Sequence, residues 1–207
     1  MIKDEINFKT IVNHKSLDVK LDIGIYHGNE HFLLIMVGIG GDIFGNNRKY
    51  EKIATRFNKD YGYTVIVSST PPSSYLHSED SFDEIMKYVN SYATLNSFKN
   101  YDIILMGNSG GGTLAGWYSY KIAKIKKLLI INPVLMLNFH RMKKGLKEFD
   151  GEFAFVIFGQ LDSSVKYSPL LENINPKVKI IVLEGIDHEF SNNEKVFLNL
   201  SNYLIDL

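Results

Sequence analysis

Ser109 stands in the run Gly107-Asn108-Ser109-Gly110-Gly111-Gly112. The pattern Gly-x-Ser-x-Gly is met by Gly107, Ser109 and Gly111. An apolar run, 103–106, precedes it, and Leu114, Trp117, Tyr118, Ile122 and Ile125 follow at helical spacing. A strand that turns sharply into a helix holds its central residue in a strained backbone geometry and lifts the side chain clear of the sheet. Small residues two before and two after leave room for that turn. The helix also aims free N–H groups and a positive partial charge at the hydroxyl. These conditions suit a nucleophile. The competing reading is a glycine-rich turn that serves only close helix–sheet packing. A trypsin-like serine loop has similar residues, but it belongs to two β-barrels with the order His, Asp, Ser. Here the serine is near mid-chain and helix periodicity follows. Neither Gly-x-x-x-x-Gly-Lys nor a suitable Gly-x-Gly-x-x-Gly is present, which disfavours a phosphate loop.

A serine hydroxyl needs a base to take its proton, and histidine is the usual one. His14 and His27 fall at the ends of an N-terminal hairpin, and His31 precedes a strand, at the opposite edge from Ser109. His140 begins an amphipathic helix. His77 lies in a polar loop after Pro71-Pro72, on the correct side. His188 follows the last apolar run, 178–183, across Glu184-Gly185-Ile186-Asp187 and precedes the final helix. That placement makes His188 the preferred base and His77 a distant second. A base also needs an acid to fix its tautomer. Asp162 follows the run 153–158 across Gly159-Gln160-Leu161, at the same edge. Asp187 adjoins His188, and neighbouring side chains in an extended loop usually diverge. Asp162 is therefore the expected orienting acid; the alternative is a turn aspartate bonded to its own backbone.

The surrounding elements must bring these groups to one rim. Ile6, Phe8, Thr10 and Val12 alternate with polar residues, and so do Leu17, Val19, Leu21, Ile23 and Ile25. Period two with one polar face predicts an antiparallel hairpin at a sheet edge. Further on, short apolar runs (32–37, 63–67, 103–106, 128–131, 153–158, 178–183) read as strands buried on both faces. Tyr50, Ile53, Ala54 and Phe57 predict a helix between two of them, as do Phe82, Ile85, Met86 and Val89. Ser81 with Glu84, and Ser191 with Glu194, read as capping boxes. The last helix carries Val196, Phe197, Leu200, Tyr203 and Leu204 on one face. Such alternation predicts an α/β fold: a mostly parallel twisted sheet with helices on both faces. Ligands of such sheets bind at the carboxyl ends of the strands.

The order Ser109, Asp162, His188, each after a strand of one sheet, resembles the α/β-hydrolase superfamily. The resemblance covers about residues 17 to 207 and rests on three features: the elbow, Gly-Gln-Leu-Asp after a strand, and Gly-Ile-Asp-His-Glu-Phe before the last helix. It implies an oxyanion hole from two backbone N–H groups, those of Gly110 and of Ile39 in Gly38-Ile39-Gly40-Gly41, with Gly40 as the other choice for the second. Many members carry His-Gly where this chain has Val37-Gly38. The implied activity is a serine hydrolase cleaving a small carboxylic ester or thioester, with no cofactor or metal. An acyltransferase, a small peptidase and an inactive binding protein on the same fold are the alternatives. The chain is expected to form one domain, 1–207, with at most a small lid at about 133–150. Residues 133–137 and the loop 68–78 with Tyr75 are possible pocket walls, and the former equally ordinary core.

Composition narrows the field. The 207 residues are 45% hydrophobic and 22% charged, with 23 basic and 23 acidic side chains. The densest basic cluster, Lys121, Lys124, Lys126 and Lys127, reads as a solvated helix end, so no nucleic-acid partner is expected. With no cysteine, a disulfide scaffold and a thiol nucleophile are excluded. No uncharged apolar run approaches the ~18 residues of a membrane span. No secretory signal is read at the start, so the cytoplasm is the expected location. The expected partner is a small acyl substrate.

Overall fold

The computed structural model describes residues 1–72 and 79–205. Eight strands form one sheet in the order β1-β2-β4-β3-β5-β6-β7-β8. β1 (Ile2–Val12) and β2 (Lys15–Tyr26) make the antiparallel hairpin at one edge. β2 joins β4 (Tyr63–Thr70) antiparallel. From there every pairing is parallel, through β3 (Asn29–Ile39), β5 (Asp102–Asn108), β6 (Ile125–Ile131), β7 (Phe153–Gly159) and β8 (Val178–Leu183).

Continuous apolar strands need cover on both faces, and the side-chain period of two divides them between two cores. Phe32, Leu34 and Met36 of β3 point to the layer that holds α2 (Asp80–Leu95), α3 (Gly110–Tyr118) and α4 (Phe139–Glu148). Leu33, Ile35 and Val37 point to the layer of α1 (Lys49–Tyr61) and α5 (Glu194–Leu200). The stripes predicted for α1 and α2 are the buried ones: Tyr50, Ile53, Ala54 and Phe57, then Phe82, Ile85, Met86 and Val89. α4 sits in the connection from β6 to β7. Asn138 caps it by accepting the Arg141 N–H at 3.0 Å, and Met142 and Leu146 are buried against α3.

Three local expectations are corrected. α3 ends at Tyr118, so Ile122 lies in the loop beyond it and Ile125 opens β6. Three adjacent glycines start α3 and Gly116 lies within it, whereas β-sheet pairing of Ile103 with Ile125 fixes the next strand early. Ser81 lies inside α2 rather than capping it, because the helix begins at Asp80. Ser191 does not cap α5 either; its N–H donates to Asp187 Oδ1 at 2.8 Å, and Asn193 precedes the helix. Of the lysine cluster, Lys121 does end a helical turn, the 3-10 turn Ser119–Lys121 that follows α3, whereas Lys124 lies in a turn and Lys126 and Lys127 lie in β6. Lys121 pairs with Glu79, Lys124 sits 3.8 Å from the Tyr101 ring centre, and Lys127 donates to the Leu204 carbonyl at 3.2 Å. No helix among the described residues is long and apolar enough to cross a membrane.

Candidate active site

Ser109 joins β5 to α3 with φ 52° and ψ −118°, a backbone conformation costly for any residue with a Cβ. The neighbours hold it there. Its N–H donates to the Ile131 carbonyl at 2.8 Å, and its carbonyl accepts from the Thr113 N–H at 2.9 Å and hydroxyl at 3.0 Å. The flanking glycines are steric requirements. A Cβ on Gly107 would stand 2.6 Å from the Gly112 Cα, and one on Gly111 would stand 2.2 Å from the Met36 carbonyl oxygen. Both obstacles are backbone, which no rotamer change relieves. Gly111→Ala is therefore expected to cost roughly 3–5 kcal/mol, at the top of the usual range for one substitution. A melting temperature within 2 °C of wild type would refute it.

Three separated residues meet beside this elbow. His188 Nε2 lies 2.9 Å from Ser109 Oγ, and His188 Nδ1 bonds Asp162 Oδ2. Asp162 follows β7 and its carboxylate is fully buried. Its other oxygen accepts the Ser164 N–H at 2.5 Å. Burial alone would push this carboxyl up, but the bonds from His188 and Ser164 outweigh it and hold it below the ordinary range. His188 moves the other way. Its bond to Asp162 favours the imidazolium more than burial opposes it, so its pKa is raised. Asp187, adjacent in sequence, is turned to its own loop and accepts from Ser191.

The remaining histidines lie elsewhere. His31 bonds Asp102 at 2.7 Å at the amino ends of β3 and β5. His14 is in the β1–β2 turn, His27 stacks on Phe98, and His140 is exposed on α4. His77 and Tyr75 fall outside the described residues. Of the other suggested pocket walls, Leu135 is buried in the core and Met136 is exposed.

The backbone N–H of Gly110 is the first of α3, so the helix itself offers it no acceptor. Ile39 lies directly across from it: its nitrogen is 3.4 Å from where a Gly110 Cβ would stand. Ile39 pairs with Thr70 of β4. In a parallel ladder such a pair bonds either through its own N–H or through the flanking residues. The first arrangement needs an N–H on residue 71, which is Pro71. The pairing thus runs through the residues that flank Ile39, which leaves the Ile39 N–H outside the ladder.

Two supporting residues had no signal in the sequence. Asn132, fully buried at the end of β6, donates to the His188 and Asp187 carbonyls at 3.0 and 3.2 Å and accepts the Gly159 N–H at 2.7 Å. It ties the histidine loop to the strand ahead of Asp162. Lys49, the first residue of α1, is buried beside the elbow. Among the described residues no group of three or more His, Asp or Glu is arranged to hold a metal ion.

No protein-family model matches the chain, and no curated protein matches it in sequence. Solved structures do match in fold. Est1E from Butyrivibrio proteoclasticus is 12% identical with a TM-score of 0.71, over 97% of this chain and 98% of that one. The esterase domain of a Rhodothermus marinus protein is 11% identical with a TM-score of 0.65, over 98% and 96%. An α/β serine hydrolase homologue from Coxiella burnetii is 15% identical with a TM-score of 0.64, over 97% of each chain. The chain has the α/β-hydrolase fold.

Proposed function

We propose that the protein is a serine hydrolase that cleaves a small carboxylic ester or thioester through an acyl-enzyme. The observation that carries this reading is the unbroken chain of hydrogen bonds from Ser109 Oγ through His188 to the buried Asp162 carboxylate. Ser109 Oγ attacks the carbonyl carbon while His188 Nε2 takes its proton. The developing oxyanion is held by the N–H groups of Gly110 and Ile39. Asp162 keeps the proton of the neutral ring on Nδ1 and stabilises the imidazolium. The bond to the leaving oxygen or sulfur then breaks, and His188 returns the proton to it. Water repeats the sequence on the acyl-enzyme, giving the acid and free Ser109. The fold neighbours that are esterases support the reading. The chain acts in it as one domain, with the 133–150 stretch at most a small lid, and a cytoplasmic location belongs to the same reading.

The test is labelling by a fluorophosphonate together with hydrolysis of a short-chain aryl ester. The reading expects one adduct per chain, on the Ser109 peptide, and saturable turnover. An unlabelled chain without esterase activity would overturn it. Acyl transfer to an added alcohol, or faster amide than ester cleavage, would move it to the acyltransferase or peptidase alternative.

A pH dependence follows. His188 must be neutral to act as base, and its bond to Asp162 raises its pKa above the ordinary ~6.5. kcat/KM is therefore expected to rise with pH through an apparent pKa above that value. A half-rise below pH 6 would contradict the arrangement.

A further inference from the structure

A cavity of about 210 Å³ opens beside Ser109, between the 38–42 loop and the first turn of α1, and Lys49, Tyr50, Asn108 and Glu189 help to line it. Lys49 is only 7% exposed, unusual for a lysine. Its ammonium lies over the rings of Phe197 and Tyr50, at 4.3 and 5.3 Å from their centres. Among the described residues no carboxylate comes within 4 Å of it; Glu189 and Glu194 act on it only from farther away, and burial lowers its pKa. A buried ammonium without a counter-ion costs stability.

The other charged residues of the cavity lining are Asp42 and Glu189. Both are exposed, and Asp42 Oδ1 already accepts the N–H groups of Phe44 and Gly45 at 2.8 and 2.7 Å. Water and salt screen exposed carboxylates, whereas the buried charge keeps its field. The start of α1 adds a positive partial charge on the same side. Of the neutral polar groups there, Asn108 Nδ2 donates to the buried Tyr50 hydroxyl at 3.0 Å, and Asn108 Oδ1 is buried without a hydrogen-bond partner among the described residues. Among the described residues, the one buried charge of the lining is thus the Lys49 ammonium, in the same cavity as the reacting hydroxyl.

We propose that this cavity is a subsite for a carboxylate carried by the substrate, with Lys49 as its counter-ion and specificity-determining residue. The proposal deepens the hydrolase reading and rests on it for the position of the scissile bond. Its test compares 4-nitrophenyl hexanoate with two carboxylated counterparts: 4-nitrophenyl hydrogen adipate, charged on the acyl side, and 3-carboxy-4-nitrophenyl hexanoate, charged on the leaving group. In wild type, kcat/KM for one charged ester is expected to exceed that of the neutral ester at least about tenfold after correction for the uncatalysed rates. Lys49→Gln should lower that ratio about tenfold, and Lys49→Arg should retain it. A wild-type ratio of one or less for both charged esters overturns the proposal, even if the Gln variant fails to fold. An equal ratio in wild type and Lys49→Gln overturns it as well. Binding separates this proposal from the hydrolase reading. The preferred type of ester, monomethyl adipate for acyl-side charge or 3-carboxy-4-nitrophenyl hexanoate for leaving-group charge, should bind Ser109→Ala protein by calorimetric titration, and adding Lys49→Gln should weaken Kd about tenfold. Lys49-dependent binding without turnover of any ester would sink the hydrolase reading and leave the subsite standing; turnover without a charge preference would do the reverse.

Discussion

Ser109→Ala is expected to lower kcat for a short-chain aryl ester by about 10⁵–10⁶-fold, the scale on which removing a triad serine acts. Among the described residues, the hydroxyl is the group of the site aligned on a base, 2.9 Å from His188 Nε2. Alanine leaves the elbow otherwise unchanged. The N–H of residue 109 still reaches the Ile131 carbonyl, and the Thr113 bonds use the backbone carbonyl rather than the side chain. Under the proposed mechanism, residual turnover should come from water attacking a carbonyl polarised by the Gly110 and Ile39 N–H groups. The variant should melt near wild type and take no fluorophosphonate label. Equal rates for wild type and variant would remove Ser109 from the mechanism.

The second large effect belongs to Asp162→Asn, expected to lower kcat by about 10⁴-fold with little change in substrate affinity. The substitution keeps the volume. Its amide oxygen can still accept the Ser164 N–H, so the loop after β7 should hold. The amide nitrogen, however, would then face His188 Nδ1 as a donor. That forces the ring proton onto Nε2, the nitrogen that receives the Ser109 proton in the proposed mechanism. The imidazolium also loses its buried negative partner. Because the Asp162 bond is the largest cause of the raised His188 pKa, the acid limb of the pH profile should move down as kcat falls. A loss of less than about tenfold, or an unmoved limb, would show that Asp162 does not orient the base.

Much of this site is legible along the chain for a physical reason. In a parallel sheet the carboxyl ends of all strands share one rim, so a residue just after a strand is placed by its position alone. Ser109 after β5, Asp162 after β7 and His188 after β8 meet that condition, and His31, at the start of β3, fails it. The hairpin is equally legible, since one exposed face leaves a period-two record in β1 and β2. What fails is local. Ile122 and Ile125 continue the spacing of α3, but strand pairing claims Ile125. Ser81 and Ser191 have the residues of capping boxes, but the backbone begins each helix elsewhere.

Sequence by itself determined the layered architecture, the sharp turn at Ser109 and the three residues that converge, because steric demands at glycines and apolar periodicity act over short stretches. Tertiary structure alone decided the rest. Asn132 joins two loops distant along the chain, Pro71 frees the Ile39 N–H through a neighbouring strand, and Phe197 of α5 covers Lys49 of α1. Each depends on which segment lies alongside, and one-dimensional order does not encode the partner's distance.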